Sequence, residues 1–320
     1  MSPKPLHEFR IFIVGGSAAE GFYLDDSQAI NSILQNELNK HISAEITVKV
    51  YNAGRSGDRS DDHISVIVHR IVHLQPDMII VFSGFNDLLA SLYNHDYLHY
   101  EKWTYGKSPF LFLRMAATEF QIPRRLYYLI KRASPKTPKI ERQALEQITI
   151  KSDYKDRVAL SMSAPVSNRE PRPDVISYKN NLITIAGVTR AHSIRLLFMT
   201  HQSTWNSSID SETRKWQWLL YRDGENYRAD LMDKALESLN NVMRKVASEY
   251  FVPIYDLAKV IPKSLDFFYD DCHFNVKGAH TAGMGVASLI LEKRLIPVRP
   301  KGRITSSVLV KQFASHSGER

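Results

Sequence analysis

The chain has one cysteine in 320 residues, Cys272, so an internal disulfide is excluded and no CxxC or Cys…His ladder exists for a structural zinc. Long hydrophobic runs are missing too. The N-terminal stretch MSPKPLHEFRIFIVGGS contains only a four-residue apolar run, Ile11 to Val14, ahead of two glycines. That is too short for a signal-peptide core or a membrane span. With Met1 as the native start the expected location is the cytoplasm; an upstream anchor would void that expectation. Acidic residues are in deficit, 34 against 42 Lys and Arg, for a net charge of +8. Such a balance favours anionic partners in general (nucleic acid, a membrane surface or an acidic polysaccharide) and by itself selects none of them. Internal repeats and low-complexity tracts are absent.

What is present is an ordinary globular composition, 43% hydrophobic and 24% charged, sufficient for a large core. FRIFIVGG (9–16) reads as a short buried strand ending in a glycine turn, and from Ser27 the apolar positions Ile30, Ile33, Leu34 and Leu38 take helical spacing. EITVKVYNAG (45–54) is the next strand, Ile64, Ile67, Val68 and Ile71 mark a second helix face, and PDMIIVFSGFND (76–87) is a third strand. The pattern resumes with a helix over 174–192, the strand IRLLFMT (194–200), a helix carrying Leu231, Ala235, Leu239, Val242 and Val246, the strand VPIYDLA (252–258) and a closing helix. Strand and helix alternate at βαβ spacing, which predicts a doubly wound parallel α/β sheet. One domain is expected over 8–300, interrupted at 94–173 by an insertion or lid, with 301–320 a peripheral tail. The insertion is basic (Arg114, Arg124, Arg125, Lys131, Arg132, Lys136, Lys139, Arg142) and aromatic (Trp103, Tyr105, Phe110, Phe112, Tyr127, Tyr128) before the proline-broken SAPVSNREPRPD. A solvated face and aromatics that pack the lid are the plainer readings of it, and membrane-surface association is the compatible alternative.

In an open α/β sheet, ligands lie outside the carboxyl ends of the strands. Those ends carry Gly16-Ser17, Asn52-Ala53-Gly54 and Gly84-Phe85-Asn86-Asp87, and Asp270 with His273 follow the last strand. Together they supply what acyl transfer needs: a serine hydroxyl at a tight turn, an unencumbered glycine amide at Gly54, a neutral donor in Asn86, and a histidine base with an acid to fix its tautomer. Each piece also has a plainer reading. Ser17 could be a helix N-cap, Asn86 and Asp87 could cap the next helix, and His273 could be a surface histidine. GGSAAEG lacks the G-x-G-x-x-G spacing of a dinucleotide turn. Asp271 competes with Asp270 as the acid. Cys272 reads as a small core filler, and His63, His69 and His73 read as a surface group rather than a metal set.

The four blocks GGSAAEG, YNAGRSG, SGFNDL and DDCHFNVKG resemble, in order, the four blocks of the SGNH (GDSL-type) hydrolase superfamily. The family's first block often reads GDS, and Gly16 stands here in place of the acid. The resemblance implies a three-layer α/β/α fold with a five-stranded, flavodoxin-like parallel sheet. It implies Ser17 as nucleophile, Asp270 and His273 completing a triad, and an oxyanion hole of Ser17, Gly54 and Asn86. Gly278 fits the last block. The implied activity is hydrolysis of short acyl, or carbohydrate O-acetyl, esters with no metal or organic cofactor. The basic, aromatic insertion and the loop 203–224, with Trp205, Trp216 and Trp218, would shape the alcohol side. An O-acyltransferase using the same acyl-enzyme, and a silent module binding glycans or anionic ligands, are the alternatives. Nucleic acid is not the expected partner, and the oligomeric state is left open.

Overall fold

The computed structural model describes residues 4–43, 45–92, 159, 162–222 and 225–296. Most of the insertion, with its basic and aromatic residues, and the tail over 301–320 lie outside the described residues. In chain order the elements are β1 (Glu8–Gly15), α1 (Ser17–Glu20), α2 (Ile30–His41), β2 (Thr47–Gly54), α3 (Ser60–His69), β3 (Met78–Phe82), α4 (Phe85–Ser91), β4 (Val166–Ser167), α5 (Val175–Ala191), β5 (Arg195–Met199), α6 (Ser211–Arg214), β6 (Tyr221–Arg222), β7 (Glu225–Tyr227), α7 (Ala229–Glu249), β8 (Ile254–Tyr255), α8 (Leu257–Val260) and α9 (Val276–Glu292).

A five-stranded sheet runs in the order β2-β1-β3-β5-β8, every pairing parallel. Side chains alternate across a strand, so a strand covered on both faces must be apolar at every position. β1 shows this directly. Phe9, Ile11 and Ile13 enter one core with α2 and α9, while Phe12 and Val14 enter the other with α3, α5 and α7. β3 divides the same way, Met78, Ile80 and Phe82 against Ile79 and Val81. The three-layer α/β/α architecture follows from that double burial. Among the described residues no helix is long and apolar enough to cross a membrane.

Three details differ from the sequence reading. The last strand of the sheet is only Ile254–Tyr255. On α7 the buried stripe contains Met232, Ala235, Leu236, Leu239, Met243 and Val246, whereas Leu231 and Val242 are half-buried. A second, three-stranded sheet, β4-β7-β6, was not foreseen.

The chain leaves β1 to form β2 on one side and returns to form β3 on the other. The carboxyl ends of β1 and β3 therefore flank the point where strand order reverses, the usual place for a crevice in this architecture. Ser17 follows β1, and Asn86 follows β3.

Candidate active site

Gly15 and Gly16 turn the chain sharply from β1 into α1, and Ser17 is the first residue of that short helix. N–H groups of a first helical turn have no intrahelical carbonyl, so the Ser17 amide is available as a donor. A Cβ on Gly16 would collide with Nδ2 of Asn86, so this glycine is what lets the Asn86 amide stand beside Ser17. Nδ2 also donates to the Asp58 carbonyl at 2.9 Å, which fixes the amide's direction.

The DDCH segment is the tip of a tight reversal. Phe268 and Phe274 form an antiparallel bridge and stack with ring centres 5.2 Å apart, and the Tyr269 amide donates to the His273 carbonyl at 2.8 Å. Both phenylalanines are fully buried, so apolar burial anchors the ends and presents the polar tip to the crevice.

There, His273 Nε2 lies 2.8 Å from Ser17 Oγ, and Nδ1 lies 2.7 Å from Asp270 Oδ2 and 2.9 Å from Oδ1. Asp270 Oδ1 also accepts the backbone N–H groups of Cys272 (3.0 Å) and His273 (2.9 Å). Burial alone would push the Asp270 carboxyl up. The hydrogen bonds from His273 and from these amides outweigh it and hold the acid below the usual carboxylate range. Asp271 turns the other way. Its oxygens accept Trp205 Nε1 at 2.7 Å and the amides of Trp218 and Leu219 at 2.8 and 3.0 Å. Burial, and then the Asp270 charge beside it, push Asp271 up to about 7.

A narrow cleft opens beside Ser17, bordered by Gly16, Asp58, Phe82, Phe85, Asn86, His201 and Cys272 among others. His201 stacks on Phe82 with ring centres 4.4 Å apart, and burial takes it down to about 3, so it is neutral. Outside that cleft, Phe22, Tyr23 and Tyr269 stand near His273, each at least 40% exposed. The Phe22 and Tyr23 rings lie 5.3 and 5.7 Å from the imidazole.

Several expected positions are occupied differently. The Gly54 amide donates to Asn52 Oδ1 at 2.9 Å, and a Cβ on Gly54 would strike the backbone of Ala19 and Glu20. Gly54 is therefore a packing glycine under α1 and does not border the cleft, contrary to its expected place in an oxyanion hole. Three residues on, Gly57 has φ +86° and nothing within 4 Å of where a Cβ would be, and its neighbour Asp58 borders the cleft. Trp205 is fully buried and Trp218 half-buried, and both indole N–H groups point at the acid pair. Of the three tryptophans expected to shape the alcohol side, only Trp216 is exposed. Asp87 does not cap its own helix from the side. It is buried and accepts both the amide and hydroxyl of Ser60, tying the start of α4 to the start of α3. His69 and His73 are exposed while His63 is buried, so the three do not form a cluster.

Cys272 is buried, with Sγ 3.9 Å from His273 Nδ1. Asp270, Cys272 and His273 are the one group among the described residues whose ligand atoms fall within 4.8 Å of one another. A metal there would take the same carboxylate and imidazole nitrogens that already face each other and Ser17.

Comparison with known families matches residues 13–280 to the GDSL-like lipase/acylhydrolase family. The chain belongs to this family. It is accordingly a carboxylic ester hydrolase. Comparison with curated proteins finds no match. Among solved structures, the lipase/acylhydrolase from Enterococcus faecalis is 17% identical, with 92% of this chain and 100% of that one covered at a TM-score of 0.50. Axe2, an acetylxylan esterase from Geobacillus stearothermophilus, is 12% identical, covering 92% and 97% at 0.48. At 17% identity, the likeness to the Enterococcus faecalis protein speaks to the fold alone.

Proposed function

We propose that this hydrolase cleaves short acyl esters of carbohydrate hydroxyls through a Ser17–His273–Asp270 triad and an acyl-enzyme. The observation that carries the reading is the unbroken hydrogen-bonded path from Ser17 Oγ through both imidazole nitrogens to Asp270. His273 takes the serine proton as Ser17 attacks the ester carbonyl, and Asp270 holds the ring in the tautomer that leaves Nε2 able to accept it. The developing oxyanion is received by the Ser17 amide and the Asn86 side chain. With Gly54 turned away, the third donor is assigned to the Gly57 amide. His273 then protonates the departing alcohol, and water attacks the acyl-serine by the same base to regenerate the enzyme.

The two sides of the site divide the substrate. The acyl group faces the small cleft walled by Phe82, Phe85 and Cys272, which suits a short chain. The leaving oxygen must be near His273 Nε2, so the alcohol meets the rings that border His273. Two tyrosines and a phenylalanine give apolar faces with hydroxyl edges, which match the C–H face and hydroxyl rim of a sugar ring.

The test is hydrolysis of p-nitrophenyl acetate, butyrate and octanoate by wild type and Ser17→Ala, with a fluorophosphonate label mapped by mass spectrometry. The expected result is label on Ser17, loss of turnover in the variant and a preference for acetate. A folded protein that takes no label at Ser17 would overturn the reading.

A further inference from the structure

Asp270 does not stand alone beside His273. A second, equally buried carboxylate follows it immediately, and the loop after β5 reaches both. Trp218 donates its backbone N–H to Asp271 Oδ2 at 2.8 Å and its indole N–H to Asp270 Oδ2 at 3.0 Å. Trp205 donates its indole N–H to Asp271 Oδ1 at 2.7 Å. The same loop holds the backbone of the acid pair, since the Thr204 amide donates to the Asp271 carbonyl at 2.8 Å and its hydroxyl to the Asp270 carbonyl at 3.1 Å. The donors on Asp270 are divided. Oδ1 is used by the amides of Cys272 and His273, while Oδ2, 2.7 Å from His273 Nδ1, accepts the Trp218 indole.

We infer that Trp218 is a positioning residue for Asp270, located by Asp271: one residue bridges two adjacent carboxylates and so fixes the oxygen that faces the imidazole. The inference rests on the proposed triad and extends it to a loop that lies over 50 residues earlier in the chain. Two neighbouring buried carboxylates repel each other, and without donors one would rotate away. Here each has its own N–H groups, so both oxygens near Trp218 stay where the backbone puts them. The remaining charged or titratable groups around the pair are His273 itself, Cys272, His201 beside the imidazole, and Arg214, whose charge is felt at Asp271.

The indole N–H also tempers the carboxylate. Removing it leaves Asp270 more basic and the imidazolium better stabilised, so the acid limb of the pH–rate profile should move to higher pH. It also lets the carboxylate turn, so the rate falls without a change in substrate binding. The experiment compares wild type, Trp218→Phe and Ser17→Ala on p-nitrophenyl acetate over pH 5–9, with circular dichroism and thermal melts to establish folding. Trp218→Phe should lose about tenfold in kcat with KM unchanged, label more slowly with fluorophosphonate at Ser17, and show an acid limb displaced upward. A variant that fails to fold would be replaced by one carrying β-(3-benzothienyl)alanine at position 218, which keeps the shape of the indole and lacks only its N–H. An acid limb that stays in place or moves down, or a loss confined to KM, overturns the inference. If Ser17→Ala retains activity, the triad reading fails instead, and the two failures are thereby distinguished.

Discussion

Gly16 and Asn86 illustrate how little space separates a working site from a blocked one. Gly16 has φ −83°, which any residue can adopt, so what bars a side chain there is the Asn86 amide and nothing in the backbone. That amide is also fixed from behind by the Asp58 carbonyl. Gly16→Ala should therefore fold normally and lose activity, because its methyl pushes Asn86 off the position from which it donates. Asn86→Ala removes the donor outright and should lower kcat by about 10²–10³ with little change in KM, the usual cost of losing one oxyanion donor. Steady-state kinetics on p-nitrophenyl acetate measures both. If Gly16→Ala is fully active, Asn86 is not held by that contact, and if Asn86→Ala is fully active, it does not serve the oxyanion.

At the scale of elements, the proposed alcohol side is built by two segments far apart in sequence, the turn after α1 that carries Phe22 and Tyr23, and the DDCH reversal that carries Tyr269. Tyr23 has φ +74°, a left-handed conformation that an L residue adopts at a cost, and its ring meets Tyr269 edge-on at 5.9 Å. If a sugar ring stacks on Tyr23 with about the 0.5–1.5 kcal/mol of an aromatic pair, Tyr23→Ala should raise KM for an acetylated methyl glycoside roughly two- to tenfold. The same change should leave KM for ethyl acetate, which has no ring to stack, unaltered. Equal effects on both esters would remove the sugar from the reading. The elements themselves were largely legible in the sequence, because β1, β3 and β5 are apolar at nearly every position and only double burial explains that. The small sheet was not legible, since strands of two or three residues carry no periodicity. Nor was the role of Trp205 and Trp218, whose indole partners lie 66 and 52 residues away. In YNAGRSG the choice between two glycines turns on backbone direction: Gly54 lies under α1, and Gly57 faces open space at positive φ. No spacing rule could have separated them.

Across the whole molecule, buried titratable groups set how the fold responds to acid, and they pull in opposite directions. His63 is fully buried, and burial takes it from 6.5 down to about 4 despite the Asp58 and Asp62 charges and the Gly15 backbone carbonyl nearby. The unfolded chain therefore binds a proton at this histidine from about pH 6.5 downward while the folded chain does not. Its contribution is complete above pH 6.5 and is lost as pH falls toward 4. His201, taken down to about 3, acts with the same sign. Asp271 acts against them. Raised from 3.8 to about 7, it is protonated in the folded chain before the unfolded one, so the fold gains on this account as pH falls from 7 to 4. The wild-type stability curve in this range should accordingly be flatter than either group alone would make it, and removing one side should tilt it. His63→Met fills the same space without a titrating ring. Relative to wild type it should gain about 3 kcal/mol between pH 7.5 and pH 4.5 in urea unfolding, from a displacement of roughly two pH units at about 1.4 kcal/mol each. A difference between the two proteins that stays constant across that range would mean that His63 is already solvated or paired in the folded chain, and that the acid response of the fold is governed by the carboxylates.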